Sequence, residues 1–273
     1  MQDVCLKTKE KIRRILIIDE RSGKRTIVSS GTGTVVRGDG LILTAAHVLM
    51  KEVKQPYLGN IMVSHPLLGE TEYEMVLKTA LSFALPKTVG DYLQSIELDL
   101  MLIKPKVFLG HEITFMPLAA EIATLGEDVI IAGYPDDTDL PFKIFERLNF
   151  NNPELAAVRS DIQRMEGFFR LPLMKRAMIG LVSNISFKDI RVNITGLSLP
   201  ESINFEGAVY WLDNHLTYGG SGGPVVNKDG SLVGVVTEKA FTADKEKMIR
   251  KSVPSGTGMA FSHQMITWLL PYV

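Results

Sequence analysis

The chain has 273 residues and a formal charge of -1, with 30 Lys and Arg balanced by 31 Asp and Glu. This balance gives no electrostatic basis for binding a nucleic acid or an anionic membrane surface. Hydrophobic residues make up 45% of the chain and charged residues 22%, which is typical of a folded globular protein with a sizeable core.

The cysteine content and the apolar runs bear on location. Cys5 is the only cysteine, so no internal disulfide forms and stability depends on packing. The longest apolar runs, such as 15–18 and 129–132, are much shorter than the roughly 18 residues that a membrane span needs. Residues 1–10 are not followed by the apolar run of a secretory signal. Together these features predict a cytoplasmic protein that does not enter a membrane.

Most of the sequence is typical of short β-strands separated by turns. A β-rich segment at 12–18 comes first, and a glycine-containing turn at 38–40 joins 32–37 to 41–44 as a hairpin. Further strands are predicted at 61–64, 73–85, 98–103, 128–134, 178–187, 189–195 and 208–213, and a second hairpin at 225–237 around an Asp-Gly turn. The number and spacing of these strands favour an all-β barrel or sandwich over a βαβ sheet.

Two segments have the pattern of an amphipathic helix. Asn152 offers an N-cap and Pro153 a first helical position, and apolar residues then recur at helical spacing as far as Phe169. A C-terminal helix is predicted at 261–271. We expect the apolar stripe of 153–169 to pack on the chain's own barrel; the alternatives are a lid, a partner-docking surface or an oligomer contact. The segment 104–127 has the weakest strand or helix pattern in the chain, and we interpret it as the connection between two β units.

Four glycines surround Ser221 in the segment 219–224. Glycine allows backbone conformations that other residues avoid, so amide N–H groups can point toward one place beside an exposed hydroxyl. Acyl transfer needs this geometry. The serine oxygen attacks a carbonyl carbon, and the N–H groups of Gly219 and Ser221 stabilise the negative charge that develops on the carbonyl oxygen.

A serine hydroxyl is a poor nucleophile without a base, and the base needs a carboxylate that sets its tautomer. His47 follows a predicted strand and lies among small residues, which allow another part of the chain to approach. Asp99 begins a strongly apolar strand, where a buried carboxylate needs a partner. These two residues are therefore the candidates for base and orienting acid.

Three separated motifs occur in the order His, Asp, Ser: LTAAH at 43–47, DLMLI at 99–103 and GGSGGP at 219–224. With supporting segments at 31–36, 132–135, 180–183, 226–230, 234–237 and 258–261, they resemble the trypsin-fold serine proteases of the PA clan. The resemblance is closest to the disulfide-free bacterial branch that includes the HtrA (Deg) proteases and the glutamyl endopeptidases. It covers 12–273 apart from the helical segment, and three motifs in order are a specific signal.

The resemblance implies an all-β fold of two packed six-stranded antiparallel β-barrels, with a helical insertion around 152–170 and a C-terminal helix. The barrels would span 12–118 and 119–273, and the active-site cleft would lie at their interface. His47 and Asp99 would come from the first barrel and Ser221 from the second. Barrel closure would protect the strand edges without disulfides.

The function implied is that of a serine endopeptidase acting on proteins or peptides through an acyl-enzyme, with no cofactor and no PDZ domain. Ser221 would be the nucleophile, His47 the base and Asp99 its orienting acid, and Gly219 with Ser221 would form the oxyanion hole. His215, Thr237 and Gly258 match positions of the primary specificity pocket. A histidine there favours an acidic or polar P1 side chain, although a structural contact for His215 is an open alternative.

The sequence also departs from the family. Gly220 stands where digestive relatives carry an aspartate that binds a newly cut N-terminus, so we expect the glycine-rich loop to depend on substrate, a partner or assembly for its order. The remaining histidines, His65, His111 and His263, lack metal-ligand spacing, so no metal is expected. Two alternatives stay open: a non-catalytic, peptide-binding pseudoprotease, and an esterase that uses the same triad.

Overall fold

A computed structural model describes residues 2–52, 55–65, 69–76, 81–84, 95–135, 171–190, 202–216, 218–242 and 253–273. The helix predicted at 153–169, with the rest of the insertion around 152–170, lies outside these residues. The elements in chain order are α1 (Gln2–Lys9), β1 (Ile12–Asp19), β2 (Thr26–Val35), β3 (Ile42–Thr44), α2 (Ala46–Leu49), β4 (Met50–Glu52), β5 (Gln55–Pro56), β6 (Asn60–His65), β7 (Gly69–Met75), β8 (Leu81–Ala84), β9 (Ser95–Leu98), β10 (Met101–Pro105), β11 (Asp128–Gly133), β12 (Leu173–Ile190), β13 (Ile203–Leu212), β14 (Pro224–Val226), β15 (Leu232–Thr242), β16 (Val253–Ser262), α3 (Gln264–Thr267) and a 3₁₀ turn (Leu270–Tyr272).

Two closed antiparallel barrels account for most of these strands. Barrel 1 has the order β1-β2-β3-β10-β7-β6, and barrel 2 has the order β11-β12-β13-β16-β15-β14. When the strands are counted within each barrel, both have the same connectivity, in which the sixth strand lies beside the third and the fourth closes onto the first. The pairs β4-β5 and β8-β9 form separate two-stranded sheets. The predicted all-β fold of two six-stranded barrels is confirmed.

Branched apolar side chains fill the interior of both barrels. These residues favour strands because their side chains pack well on a pleated, half-buried surface. Barrel 1 buries Ile12, Ile15, Ile17, Ile42, Leu43, Leu102 and Ile103, and barrel 2 buries Val129, Ile131, Ile179, Val225 and Val233 together with the aromatic ring of Tyr210. Since the chain has no disulfide, packing of these two cores is the main source of stability.

Several predicted strand limits differ from the structure. The strand predicted at 98–103 is interrupted between β9 and β10, which places Asp99 on a bend. The strands predicted at 178–187 and 189–195 belong in their described part to the single strand β12, because irregularities near Ile179 and Phe187 allow its pairing with β13 to continue. The C-terminal helix is shorter than predicted, since Phe261 pairs with both β13 and β15 and keeps the chain extended as far as Ser262.

The connection between the barrels is held by backbone hydrogen bonds on both sides. Met116 N–H donates to Val35 O of barrel 1 (2.8 Å), whereas Leu232 N–H of barrel 2 donates to Pro117 O (2.8 Å). The chain therefore passes from one barrel to the other at Met116 and Pro117. The proposed domain limits of 12–118 and 119–273 stay a prediction.

None of the helices in the described part of the chain is long and apolar enough to cross a membrane.

The barrels touch closely at Gly222, in the loop before β14. A Cβ atom added to Gly222 would lie 2.1 Å from Thr32 O and 2.2 Å from Thr44 Oγ1 of barrel 1, and the φ angle of Gly222 is +84°. Both the clash and the left-handed conformation exclude a side chain at this position.

We predict that Gly222→Ala destabilises the protein much more than Gly230→Ala, its matched control. Gly230 also has a left-handed φ of +81° but has nothing within 4 Å of an added Cβ. The control should cost about 1–2 kcal/mol for backbone strain alone. Gly222→Ala should cost about 1–3 kcal/mol more, because the added methyl is forced into barrel 1. Urea unfolding measures both, and equal losses would contradict the close contact.

His263 lies just after β16 and contacts the connection between the barrels. It is only 2% exposed, its backbone N–H donates to Val233 O (3.0 Å), and its Nδ1 lies 3.1 Å from the same oxygen. Burial lowers the pKa of His263 below the ordinary value of 6.5, opposed in part by hydrogen bonds with the backbone of Val233 and Ala119.

This lowered pKa predicts a pH dependence of stability. The unfolded chain binds the proton of His263 more readily than the folded chain. The contribution of His263 to the free energy of unfolding is therefore fully present above pH 6.5 and decreases as the pH falls below that value. His263→Asn should therefore show a shallower loss of stability on acidification from about pH 7 to 5 than the wild type. His111→Asn, at an exposed histidine, serves as the control, and the free energy of unfolding is measured with urea at each pH. If stability falls with pH in His263→Asn as steeply as in the wild type and the control, the prediction is wrong.

Candidate active site

His47 and Asp99 are held together by two hydrogen bonds. His47 lies in α2, the single helical turn that follows β3, and Asp99 lies on the bend between β9 and β10. Asp99 Oδ1 accepts the backbone N–H of His47 (2.8 Å), and Asp99 Oδ2 lies 2.7 Å from His47 Nδ1. The carboxylate therefore fixes both the backbone and the ring of His47.

This contact decides the tautomer of the imidazole. An ionised carboxylate only accepts hydrogen bonds, so Nδ1 must carry a hydrogen and Nε2 keeps its lone pair when the ring is neutral. The side chain of His47 is 46% exposed and that of Asp99 is 23% exposed. The side chain of His47 is therefore partly open to solvent, while that of Asp99 is largely covered.

Ser221 lies beside this pair on the other barrel. One groove of about 430 Å³ is lined by His47, Ser221, Gly219 and Tyr218, and its lining also includes Ser29 and Ser30 of β2. Residues far apart in sequence, from barrel 1 and from the loop that precedes β14 in barrel 2, thus meet at one groove.

The glycine-rich loop around Ser221 has a defined hydrogen-bond pattern. Gly223 N–H donates to Gly220 O (3.0 Å), and Gly222 N–H donates to Val236 O on β15 (2.7 Å). Among the residues that the structure describes, no acceptor is bonded to the backbone N–H of Gly219 or of Ser221. These two N–H groups are therefore available as hydrogen-bond donors, which is what an oxyanion hole requires.

Sequence reasoning missed Thr32, which binds this loop from barrel 1. The backbone N–H of Thr32 donates to Ser221 O (2.8 Å), and its Oγ1 donates to Gly219 O (2.7 Å). The sequence offered one weak signal, a hydroxyl residue between two glycines in a predicted strand. These bonds constrain the loop, although Gly220 lacks the carboxylate of the digestive relatives.

Two of the residues predicted for the specificity pocket are in contact, and the third lies on the strand beside Gly258. Gly258 packs against His215, since a Cβ added to the glycine would lie 3.3 Å from His215 Cβ. Lys175 Nζ donates to the carbonyl oxygen of His215 (3.0 Å). Thr237 lies on β15 with only 1% of its surface exposed. Among the described residues, neither His215 Nδ1 nor Thr237 Oγ1 has a hydrogen-bond partner.

A second groove lies on barrel 2 and is not lined by His47 or Ser221. It has a volume of about 670 Å³ and is lined by residues such as Thr124, Glu127, Asp128 and Asn227, with no serine or histidine among its described lining residues. In the described ranges, no three His, Cys, Asp or Glu side chains come close enough together to bind a metal ion.

Solved structures with this fold include the Rv3671c protease from M. tuberculosis. The active form shares 20% sequence identity with a TM-score of 0.54, and the alignment covers 99% of this chain and 83% of that chain. The inactive form shares 18% identity with a TM-score of 0.53, covering 98% and 91%. An inactive variant with a serine replaced by alanine gives 19% identity, a TM-score of 0.54, and coverage of 98% and 88%. At these identities the likeness establishes the fold.

A comparison with curated proteins found no match. The family model described as "Trypsin-like peptidase domain" matches residues 31–235, which is more than half of the chain and includes all three residues of the predicted triad. The chain therefore belongs to the trypsin-like peptidase family and is a serine-type peptidase that acts on proteins or peptides.

Proposed function

We propose that this peptidase is an endopeptidase that cleaves peptide bonds through an acyl-enzyme, with Ser221 as nucleophile, His47 as general base and Asp99 as the orienting acid. The observation that carries the proposal is the double contact of Asp99 with His47, at 2.8 Å and 2.7 Å, beside the groove that Ser221 also lines. Two hydrogen bonds to one carboxylate restrict the imidazole to a single tautomer and orientation.

The proposed reaction has two stages, acylation of Ser221 and hydrolysis of the acyl-enzyme. Ser221 Oγ attacks the substrate carbonyl carbon while His47 Nε2 accepts the hydroxyl proton. The N–H groups of Gly219 and Ser221 donate to the resulting oxyanion. The C–N bond then breaks, and His47 gives its proton to the leaving amine, which leaves an ester on Ser221. A water molecule attacks this ester with His47 again as base, and the acid product leaves as Ser221 regains its proton.

The alternatives differ in what they require of these residues. A peptide-binding pseudoprotease needs no oriented imidazole, so the Asp99–His47 contact supports turnover. An esterase would use the same triad on a smaller acyl group. The groove continues along β2 past Ser29 and Ser30, which supports an extended peptide as the substrate.

The cytoplasmic location stays a prediction that rests on the single cysteine.

We predict that a fluorophosphonate probe labels the wild type and fails to label Ser221→Ala. Replacement of Ser221 or His47 should lower kcat on a peptide substrate by about 10⁶-fold. Asp99→Asn should lower kcat by about 10⁴-fold, because the amide can favour the wrong tautomer of His47. Stopped assays on a fluorogenic peptide and on a small ester measure these effects.

Each outcome separates the candidate functions. Labelling that persists in Ser221→Ala would contradict the nucleophile assignment. A folded wild type that is never labelled but binds peptides would favour the pseudoprotease. Turnover of esters without cleavage of any peptide or denatured protein would favour the esterase.

We further propose that His215, Thr237 and Gly258 line the P1 pocket and that this pocket prefers an acidic or polar side chain. The buried Nδ1 atom of His215 has no hydrogen-bond partner among the described residues, and the ammonium of Lys175 lies 3.0 Å from its carbonyl oxygen. A carboxylate entering here would find a donor in the imidazole and a nearby positive charge.

Replacement of His215 by alanine should therefore change specificity more than activity. For a peptide with Glu at P1, we expect kcat/KM to fall at least about tenfold, since a hydrogen bond to a charged group is lost. For the same peptide with Ala at P1, kcat/KM should change little. Parallel assays of the two peptides check this, and equal losses for both would contradict a role for His215 in recognition.

A further inference from the structure

We infer that Thr32 is the positioning residue of the oxyanion loop, defined here as residues 219–223. Its hydroxyl, donated by barrel 1, orients the backbone of this loop in barrel 2 so that the N–H groups of Gly219 and Ser221 can meet the substrate oxyanion. The inference rests on the proposed function, because it assigns a role toward the proposed oxyanion hole.

Thr32 is fully buried, and all of its polar atoms are used. Its backbone N–H donates to Ser221 O (2.8 Å), and its backbone carbonyl accepts Thr44 Oγ1 (2.7 Å). Its Oγ1 donates to Gly219 O (2.7 Å) and accepts the backbone N–H of Tyr134 (2.8 Å). One side chain of barrel 1 thus binds two separate segments of barrel 2.

The direction of the hydroxyl hydrogen follows from its neighbours. The N–H of Tyr134 can only donate, so it occupies a lone pair of Oγ1 and leaves the O–H free to donate to Gly219 O. Threonine is branched at Cβ and is therefore restricted at χ1, which limits the positions that the oxygen can take. The hydroxyl hydrogen thus has one well-placed acceptor.

These bonds set the orientation of successive peptide planes. Thr32 holds the carbonyl oxygens of Gly219 and Ser221, and the carbonyl oxygen of Gly220 accepts Gly223 N–H at 3.0 Å. The N–H of Ser221 belongs to the peptide plane of the Gly220 carbonyl, which lies between the two planes that Thr32 holds. The N–H of Gly219 is bonded to the Cα atom of the same residue, so a single Cα atom separates it from the Gly219 carbonyl that Thr32 holds.

The loop needs such an external constraint because of its composition. Glycines at 219, 220, 222 and 223 carry no side chains that could restrict the backbone, and position 220 has no carboxylate. A hydroxyl on the opposite barrel supplies the restriction instead. The oxyanion donors are thereby coupled to the same interface that sets the position of His47 relative to Ser221.

The test compares Thr32→Val, which keeps the shape and removes the hydroxyl, with Thr32→Ser, which restores it. Thr34→Val is the matched control: Thr34 is fully buried two residues further along β2, and its Oγ1 has no hydrogen-bond partner among the described residues. We expect Thr32→Val to lower kcat on a fluorogenic peptide by about 10²-fold with little change in KM, because the donors are misplaced in the transition state. Thr32→Ser and Thr34→Val should keep wild-type kcat within a few-fold.

Assays are run below the melting temperature of each variant, so that a loss of stability alone does not lower kcat. A kcat for Thr32→Val close to that of the wild type would overturn the inference. An equal loss in Thr32→Ser would overturn it as well, since the hydroxyl would then not be the cause.

Hydrogen exchange provides a readout that does not depend on turnover. Peptides covering 218–223 should exchange faster in Thr32→Val than in the wild type, and at the wild-type rate in Thr34→Val. If the wild type is not labelled by a fluorophosphonate, the proposed function fails while this measurement still decides the role of Thr32. Unchanged exchange in Thr32→Val would then overturn the positioning role.

Discussion

The site depends on the contact between the two barrels around Thr32 and Gly222. The proposed base and its acid lie on barrel 1, and the proposed nucleophile lies on barrel 2, so a shift of the interface would separate them. At this interface a glycine leaves space for the neighbouring backbone, and a buried threonine binds the carbonyl oxygens of Gly219 and Ser221. A contact this close tolerates little movement, because protein interiors are packed as densely as organic crystals.

Asp99 acts within barrel 1 in a comparable way. Its bend between β9 and β10 allows one carboxylate to reach both the backbone and the ring of His47. A continuous strand would keep the backbone extended through Asp99 and point successive side chains to opposite faces of the sheet. The interruption of the predicted strand is therefore the structural feature that gives the carboxylate its two partners.

The absence of disulfides makes hydrogen bonds and packing responsible for these positions. Both barrels have the same connectivity and bury branched side chains in their centres. Closure of each barrel leaves the loops between strands to carry the chemistry, held by a rigid scaffold. His263 adds a buried neutral ring next to the connection between the barrels, which links the packing of this region to pH.

The sequence contained clear information about strands, hairpins and the three motifs. The β-rich segments and the turns between them predicted the parts of the chain that form β1, β3, β6 and β11, because strand propensity and turn chemistry are local properties. The strand limits around Asp99 and along β12 were not predictable, since they depend on bulges and on pairing with distant strands. The short C-terminal helix likewise reflects pairing of Phe261 with two neighbouring strands.

For the candidate site, the motifs alone were sufficient to select His47, Asp99 and Ser221, because few residue types can act as base, orienting acid and nucleophile. The tertiary structure decided what a local pattern cannot contain. It paired both carboxylate oxygens of Asp99 with His47, placed His47 and Ser221 on one groove, and brought the hydroxyl of Thr32 to the carbonyl of Gly219. These contacts join residues far apart in the chain, so only the folding of barrel 1 and its packing against barrel 2 determine them.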